Sequence, residues 1–344
     1  MSRAQLTSTV EQNTGGAVAP FVAGKNKIIN GDFYINQRSF TSTTSSLTYT
    51  FDRWQTATSG GTATYSAQTF TTGQAPVAGY EGKNFTRIVT TGQSGSTNFT
   101  GFQQKIEDVR TLAGQTATIS FWAKAASGTP IISIVTEQYF GTGGSPSSIV
   151  TTLVGQVTLS TSWVRYSVTG TVPSISGKTI GSAGDNALLI EFYVSVGTGL
   201  TAYGTQGLQS NTFDIWGVQV EAGSVATPFT TATGTFQGEL AACQRYAWVA
   251  DLSTVSVVSG AGFTTSAAAF TIPFPVPMRT APSATSSGTF TANENGVGTR
   301  TFTALGSFGA RTTALSFEMS GSSGLTVGKP LEANSGVIVI TAEL

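Results

Sequence analysis

Apolar and polar residues alternate in short stretches from Lys25 to about residue 235, and clusters of Gly, Ser, Thr and Pro separate the stretches. This is the pattern of half-buried strands joined by turns. The strand candidates are 27–33, 51–56, 62–70, 85–91, 100–106, 117–125, 131–139, 149–159, 163–172, 187–196 and 211–221. In 163–172, Trp163, Arg165, Ser167 and Thr169 face one way, and Val164, Tyr166 and Val168 face the other. In 117–125, Ile119, Phe121 and Ala123 share one face, and Ser120, Trp122 and Lys124 share the other. That stretch is bulkier than strict alternation predicts, as suits a strand whose outer face is partly covered. Roughly ten strands at this spacing predict a sandwich rather than a βαβ fold.

Past residue 235 the period changes. Residues 236–248 hold good helix formers, with Phe236, Leu240, Cys243 and Ala247 on one helical face, and predict a short connector helix. Strand candidates resume at 252–258, 263–274, 300–305, 313–319 and 336–342. The run from Val337 to Ala342 is the most apolar and predicts a central strand. The prolines at 273, 275 and 277 cannot donate to a ladder, so that segment is expected at an edge or a crossing. The small domain that these strands make would leave strand edges needing cover, and a neighbouring copy of the chain is one candidate. Residues 1–24 are polar and show neither period. They read either as a frayed terminus or as an attachment segment that orders on a partner. No internal repeat is evident.

Charge narrows the functions. Only 10% of the 344 residues are charged, Lys+Arg and Asp+Glu are 17 each, and no basic or acidic block occurs. A binder that neutralises nucleic-acid phosphates needs a basic excess on some face, and a membrane-surface binder needs a polybasic patch. Neither is present. Histidine is absent, which removes Ser-His-Asp and Cys-His hydrolases and the commonest zinc ligand. The one cysteine, Cys243, excludes an intrachain disulfide and a cysteine metal cluster. A hydrophobic share of 39% with 21 Phe is too apolar for disorder. The stretch after Arg3 is not that of a signal peptide, and no apolar run is long enough for a membrane-spanning helix. The chain is therefore expected to be made in the cytoplasm of its host cell.

Candidate chemistry is sparse. Glu107-Asp108, beside Arg110, and Asp185 come nearest to a carboxylate cluster. Neighbours in sequence do not face one another, so these read as solvated turn charges, and no catalytic residue is assigned. The segments 141–144 and 181–184 are Gly-rich, but neither opens a helix nor precedes a Lys-Ser/Thr pair, so both read as hairpin loops. Trp54, Trp122, Trp163 and Trp216, with Tyr65 and Tyr193, sit in strand candidates and read as core. Tyr80 and Tyr139, nearer to loop ends, are the candidates for a ligand surface. The triplets at Asn84 and Asn98 match the glycosylation acceptor, a frequent chance match in a Thr-rich chain.

Several segments together resemble a known domain. They are Lys27 to Phe33, Asn36-Gln37-Arg38, Phe51-Asp52-Arg53-Trp54, Thr118 to Ala125, Ser162 to Tyr166 and Phe213 to Phe229. In this order they resemble a jelly roll, similar to carbohydrate-binding modules, that is common in virion proteins of tailed phages. Leu240 to Tyr246 resembles the segment that follows this domain, and Pro275 to Pro282 a strand entry of a C-terminal β domain, so the likeness covers roughly 25–285. Many such modules hold a structural calcium through an acid after the opening Asn-Gly-x-Phe and an Asp-Asp pair before the final Val-Gln. Here Tyr34 and Trp216-Gly217 stand at those places. Neither Trp216 nor Gly217 offers a side-chain oxygen, so no metal and no cofactor is carried over.

The expected fold is all-β: a jelly-roll β-sandwich followed by a short helix and a smaller C-terminal β domain. Its parts are an arm at 1–24, the sandwich at 25–235, the helix at 236–248 and the second β domain at 249–344. The resemblance implies a non-enzymatic virion structural protein, a tail fibre or tail-associated protein that presents the sandwich for host attachment. The alternative it leaves is a capsid decoration or head fibre protein anchored by its N-terminal arm. It implies as partners other virion proteins through 1–24, further copies in a homotrimer held mainly by 236–344, and a host-surface glycan as candidate ligand. The expected location is the exterior of a particle released by lysis.

Overall fold

The computed structural model describes residues 24–77, 79–254 and 258–344. All but the last residue of the expected arm, and the stretch 255–257 in the strand candidate 252–258, lie outside the described residues.

Two antiparallel sheets face each other. One has the order β1 (Ser42–Thr43), β3 (Thr62–Thr69), β4 (Asn84–Thr91), β11 (Thr212–Ala222), β6 (Thr116–Ala125), β9 (Val164–Thr171). The other has the order β2 (Trp54–Ser59), β5 (Phe99–Glu107), β10 (Ala187–Val196), β7 (Ile131–Tyr139), β8 (Val150–Thr158). Consecutive strands alternate between the sheets everywhere except at β3–β4 and β7–β8, which makes the sandwich a jelly roll. The inward residues of each strand fill the space between the sheets. Trp54 stacks on Phe102 at 4.7 Å and 7°, and Phe121, Phe192 and Phe213 are fully buried around them, whereas Trp216, opposite Trp122 in the ladder, is buried on the outer face of the six-stranded sheet against Tyr80 and Phe229. Trp122 points outward from β6 and is still buried, because Phe229 covers it and the Arg165 guanidinium lies 4.8 Å from its ring. Trp163 is half-buried against Phe70 and Phe85.

The expectation of a strand at 27–33 is not met. This segment is a series of turns, with Asn30 at φ 58° and Phe33 at φ 55°. Side-chain hydrogen bonds compete with a ladder here. The Asn30 amide donates to Ile35 O and Asp52 O, at 2.8 and 3.0 Å, and accepts from Ile35 N–H. Trp54 Nε1 donates to Asn30 O at 2.9 Å. Gly31 has no room for a side chain, since a Cβ there would meet Val218 O at 2.1 Å. The same segment lies along the end of β11. Gly24 N–H donates to Ala232 O, Lys27 N–H to Val220 O and Val218 N–H to Gly31 O, at 2.8–2.9 Å. Asn26 adds side-chain bonds to Val218 O and Thr230 O. The first and last segments of the sandwich are thus stapled side by side.

The helix, α1, spans Phe236–Gln244. Thr235 caps it, its hydroxyl accepting from Gly238 N–H at 3.1 Å. It is shorter than the expected 236–248, because Ala247–Asp251 pairs as strand β12. Of the expected apolar face, Cys243 is buried, Leu240 is half-buried and Phe236 is exposed, while Ala247 is buried in β12; Glu239 is buried as well.

The remaining strands are β13 (Val258–Gly262), β14 (Ala267–Pro273), β15 (Ser283–Glu294), β16 (Gly298–Phe302), β17 (Ala304–Ala310), β18 (Ala314–Ser320) and β19 (Pro330–Thr341). Their order is β16-β15-β19-β13-β14-β18-β17, and β12 also pairs with β19. Only Thr303 separates β16 from β17, so the two ends of the order meet and the sheet curls around its own core. The central position expected for the run from Val337 is met in β19, which pairs with three strands. Its Ile338 and Ile340 are fully buried in the core of this unit. The strand β15 has no counterpart among the sequence candidates. Its sequence is mostly Ser, Thr, Ala and Gly, and it buries only Phe290, Ala292 and Glu294.

A charged junction joins the sandwich to the curled sheet. Arg53, fully buried at φ 73°, pairs with Glu343, donates to Lys105 O at 2.6 Å and lies 3.5 Å from the centre of the Tyr246 ring. Arg38 bridges Asp52 and Glu343, at 3.1 and 3.0 Å. Glu107 holds Arg245 at 2.9 Å and accepts from Tyr246 Oη at 2.8 Å. Removing one member of a buried pair leaves the other charge uncompensated, at a cost of about 3–5 kcal/mol, whereas replacing both with apolar residues of similar volume is often neutral. Arg53→Ala is therefore expected to lower the denaturant midpoint strongly, and Arg53→Met with Glu343→Leu to lower it far less. An unchanged midpoint in Arg53→Ala would show that the junction holds nothing.

Candidate functional site

Residues of the five-stranded sheet that alternate with the core residues point to its outer face. Gln55 of β2, Gln103 and Lys105 of β5, Leu189 and Glu191 of β10, and Glu137 and Tyr139 of β7 lie there side by side. They floor a cleft of about 470 Å³. The segment 197–211 folds over one half of this face. In it, Tyr203 packs edge-on against Tyr193 at 5.0 Å, and Gln206 Oε1 accepts from Ser133 Oγ at 2.6 Å and Gln156 Nε2 at 2.9 Å. Leu47, Ile149 and Leu344 rim the other half. Lys105 Nζ and Tyr49 Oη both donate to Leu344 O, at 2.9 and 3.1 Å. The junction between the two β units therefore forms part of the cleft wall.

The floor is polar and nearly dry. Gln103 Nε2 donates to Gln55 Oε1 at 2.8 Å, and Thr151 Oγ1 to Glu137 Oε1 at 2.9 Å. Glu191 is 3% exposed, accepts from Tyr193 Oη at 3.3 Å on one oxygen, and has no partner on the other. Burial pushes its carboxyl well above the usual carboxylate range, and the Glu137 carboxylate beside it pushes the same way. Burial, with Glu137, pushes the Tyr203 hydroxyl up to about 12. Burial also pulls the Lys105 ammonium down, with Arg53 acting in the same direction. Where Glu191 carries a proton it adds a hydrogen-bond donor to a cleft that also offers amides, the Glu137 carboxylate, the Lys105 ammonium and the Tyr139 hydroxyl.

The two candidate ligand-surface residues lie apart. Tyr139 is half-buried in the cleft, its hydroxyl 3.4 Å from Asp185 Oδ2. Tyr80 lies in a different cavity, donates to Asp32 Oδ2 at 2.6 Å, and packs edge-on against Trp216 and Phe229. Asp185 is a loop staple, accepting from Thr142 N–H and Oγ1, both at 2.8 Å, and so ties the two Gly-rich loops together. Glu107 serves the junction, and Asp108 pairs with Arg110 at the surface. The pair Glu137 and Glu191 escaped the sequence reading, which treated the acids as scattered. They are diagonal neighbours on adjacent strands, since Glu191 is opposite Val135 and Glu137 opposite Leu189. Only the register brings them together; the available signal was an acid at an outward position in each of two very apolar strands.

The calcium of related modules does not fit this chain. Gly31 O accepts from Val218 N–H, both Asp32 oxygens are taken by Tyr34 N–H and Tyr80 Oη, and the indole of Trp216 is buried. Gly217, at φ 63°, passes so close to Trp122 that a Cβ would meet its ring at 2.7 Å. Rings occupy the space where carboxylates would be needed.

No protein-family model and no curated protein sequence matches the chain. Among solved structures it is similar to a xylan-binding domain from Paenibacillus barcinonensis (18% identity, 50% of this chain and 92% of that one, TM-score 0.31). It is also similar to a family 11 carbohydrate-binding module from Clostridium thermocellum in complex with a mixed-linked tetrasaccharide (14%, 55% and 99%, TM-score 0.30). A third is the N-terminal cellulose-binding domain of a Cellulomonas fimi β-1,4-glucanase (14%, 42% and 82%, TM-score 0.29). At these scores the matches bear on neither ligand nor role, and the jelly roll stands on its own strand order.

Because the folded Glu191 carboxyl protonates at higher pH than the unfolded one, its contribution to stability is full below the ordinary glutamate pKa of 4.5 and is lost as pH rises through the raised value. Glu191→Gln is expected to remove that slope, and to stabilise the chain at pH 7 by about 1–3 kcal/mol, the scale of one unsatisfied buried polar group. Thermal melts at pH 4 and pH 7 read this directly. A variant that is less stable than the parent at pH 7 would mean that the ionised carboxylate is held by a favourable contact.

Proposed function

We propose that the chain is a non-enzymatic structural protein of a tailed-phage virion, a tail fibre or tail-associated protein, that presents the outer face of its five-stranded sheet to a host-surface glycan. The observation that carries the binding half is the cleft floor. Buried amides and carboxyls there, walled by Tyr139, offer donors and acceptors with a ring face beside them, the combination that sugar hydroxyls and pyranose faces require. Glu137 and Glu191 both rise from this floor, under a ligand rather than on two sides of it. Glycosidases need carboxylates that flank the scissile bond, so the pair favours holding over cutting.

The virion half is supported by the segments that resemble phage proteins. The first of them pack on one another: Asn30 binds the backbone of Asp52, and Trp54 binds Asn30. A threefold assembly and attachment through 1–24 belong to the same reading.

Titration of the purified chain with host polysaccharide is expected to show binding that falls about tenfold in Tyr139→Ala and in Gln103→Ala, the size of one lost polar or ring contact. No reducing ends should be released. Release that disappears in Glu191→Gln would make the cleft an active site instead. Antibody labelling of particles should mark tails; labelling spread over heads would make the protein a capsid decoration. Light scattering that returns 35.5 kDa for the free chain would argue against the trimer.

A further inference from the structure

A second cavity, of about 430 Å³, shares no lining residue with the cleft. It opens between the turn at Asp32–Tyr34, the loop carrying Tyr80, the exit segment at Phe229 and the first turn of α1. Four rings line it in two edge-on pairs, Tyr34 with Phe236 at 5.3 Å and Tyr80 with Phe229 at 5.4 Å. Tyr34 and Phe236 are 40% and 50% exposed, unusually open for large apolar residues here, and both stand at its mouth. Two carboxylates, Asp32 and Glu239, also line it, with Ile35, Gly234 and three threonines, and among the described residues no Lys or Arg does.

The state of these carboxylates decides what the cavity can take. Asp32 accepts from Tyr80 Oη at 2.6 Å and from Tyr34 N–H at 3.4 Å. Glu239 accepts from Asn30 N–H at 2.8 Å, and from Thr233 N–H and Oγ1 at 2.7 and 3.1 Å. Their oxygens are engaged, yet neither has a charged partner in the cavity. Burial raises the carboxyl pKa of both, so each negative charge is poorly compensated. A metal ion needs several free oxygen ligands, and a primary amine or a sugar hydroxyl needs acceptor sites on carboxylates that already take two and three hydrogen bonds. A methylated ammonium needs neither. It presents a diffuse positive charge on an apolar surface, which suits ring faces beside buried carboxylates. The Tyr34 ring already has one cation at its face, with Lys83 Nζ 5.2 Å from its centre in the adjoining groove.

We propose that this cavity binds a quaternary ammonium group, of the kind carried by choline-bearing surface polymers or lipids. Four rings and two carboxylates would enclose the head group, and the rest of the ligand would leave past Tyr34 and Phe236.

Choline chloride titrated into the full chain, followed by intrinsic fluorescence and calorimetry, tests this. Saturable binding in the millimolar range or tighter is expected. The uncharged isostere 3,3-dimethylbutan-1-ol should bind at least about tenfold more weakly, since it lacks the cation that the rings and carboxylates select. Tyr34→Ala and Phe236→Ala, at exposed positions, should each weaken choline about tenfold with little change in melting temperature. Asp32→Asn should weaken choline and leave the isostere unaffected. Absence of saturable choline binding, equal binding of the isostere, or full binding by both exposed-ring variants would each overturn the proposal.

Discussion

The Arg53 guanidinium is the point at which the two halves of the molecule become one. It is buried, stacked on Tyr246, and neutralised by Glu343, which stands 290 residues further along the chain. Each half has its own apolar core, and neither core extends into the other. Apolar packing alone would let the halves turn against each other. A buried cation has a short list of acceptable surroundings, so it fixes the one arrangement that supplies them. Arg38, Asp52, Glu107 and Arg245 widen that contact into a network, and through Leu344 the network reaches the rim of the cleft.

The strand period then produces both the core and the candidate site. In β10, Leu188, Ile190, Phe192 and Val194 face inward, and Leu189, Glu191 and Tyr193 face outward. Every residue of that strand is buried, because segment 197–211 and the rim residues cover the outer face as well. A polar group at an outward position is therefore as desolvated as a core residue, and the cleft floor gains its altered protonation from that double cover. The second cavity has a different origin. It forms where a turn, a loop, the exit segment and the start of the helix converge, and its rings come from these rather than from strands.

Much of the sandwich was legible in the sequence. The strands 131–139 and 187–196 run to the same limits in the structure, since strict sidedness and β-branched residues leave few alternatives. Residues 27–33 look like a strand and are not, because Asn26, Asn30 and Gly31 spend their hydrogen bonds on turns; alternation does not report such local competition. The strand at 283–294 was invisible for the opposite reason. It is held by ladder bonds to β19 and buries little, so hydropathy carries no trace of it. Tyr139, read from the sequence as a ligand-surface candidate, lies in the cleft, and Glu137 beside it was missed. A residue's neighbours across a sheet depend on register, and one sequence without partners does not contain the register.

The staple between the start and the end of the sandwich also has a mechanical meaning. Gly24 and Ala232 are hydrogen-bonded to one another, so the chain enters and leaves the sandwich at nearly the same point. A pull along the chain would load the Gly24–Ala232, Lys27–Val220 and Gly31–Val218 bonds and the Asn26 amide first, and the body of the sandwich would hang to the side of the line of force. The cleft, on the five-stranded sheet, stays out of that line. Its floor is spared until the staple gives way, whereas its rim at Leu344, tied to Lys105 and Tyr49, feels any load carried through the second unit.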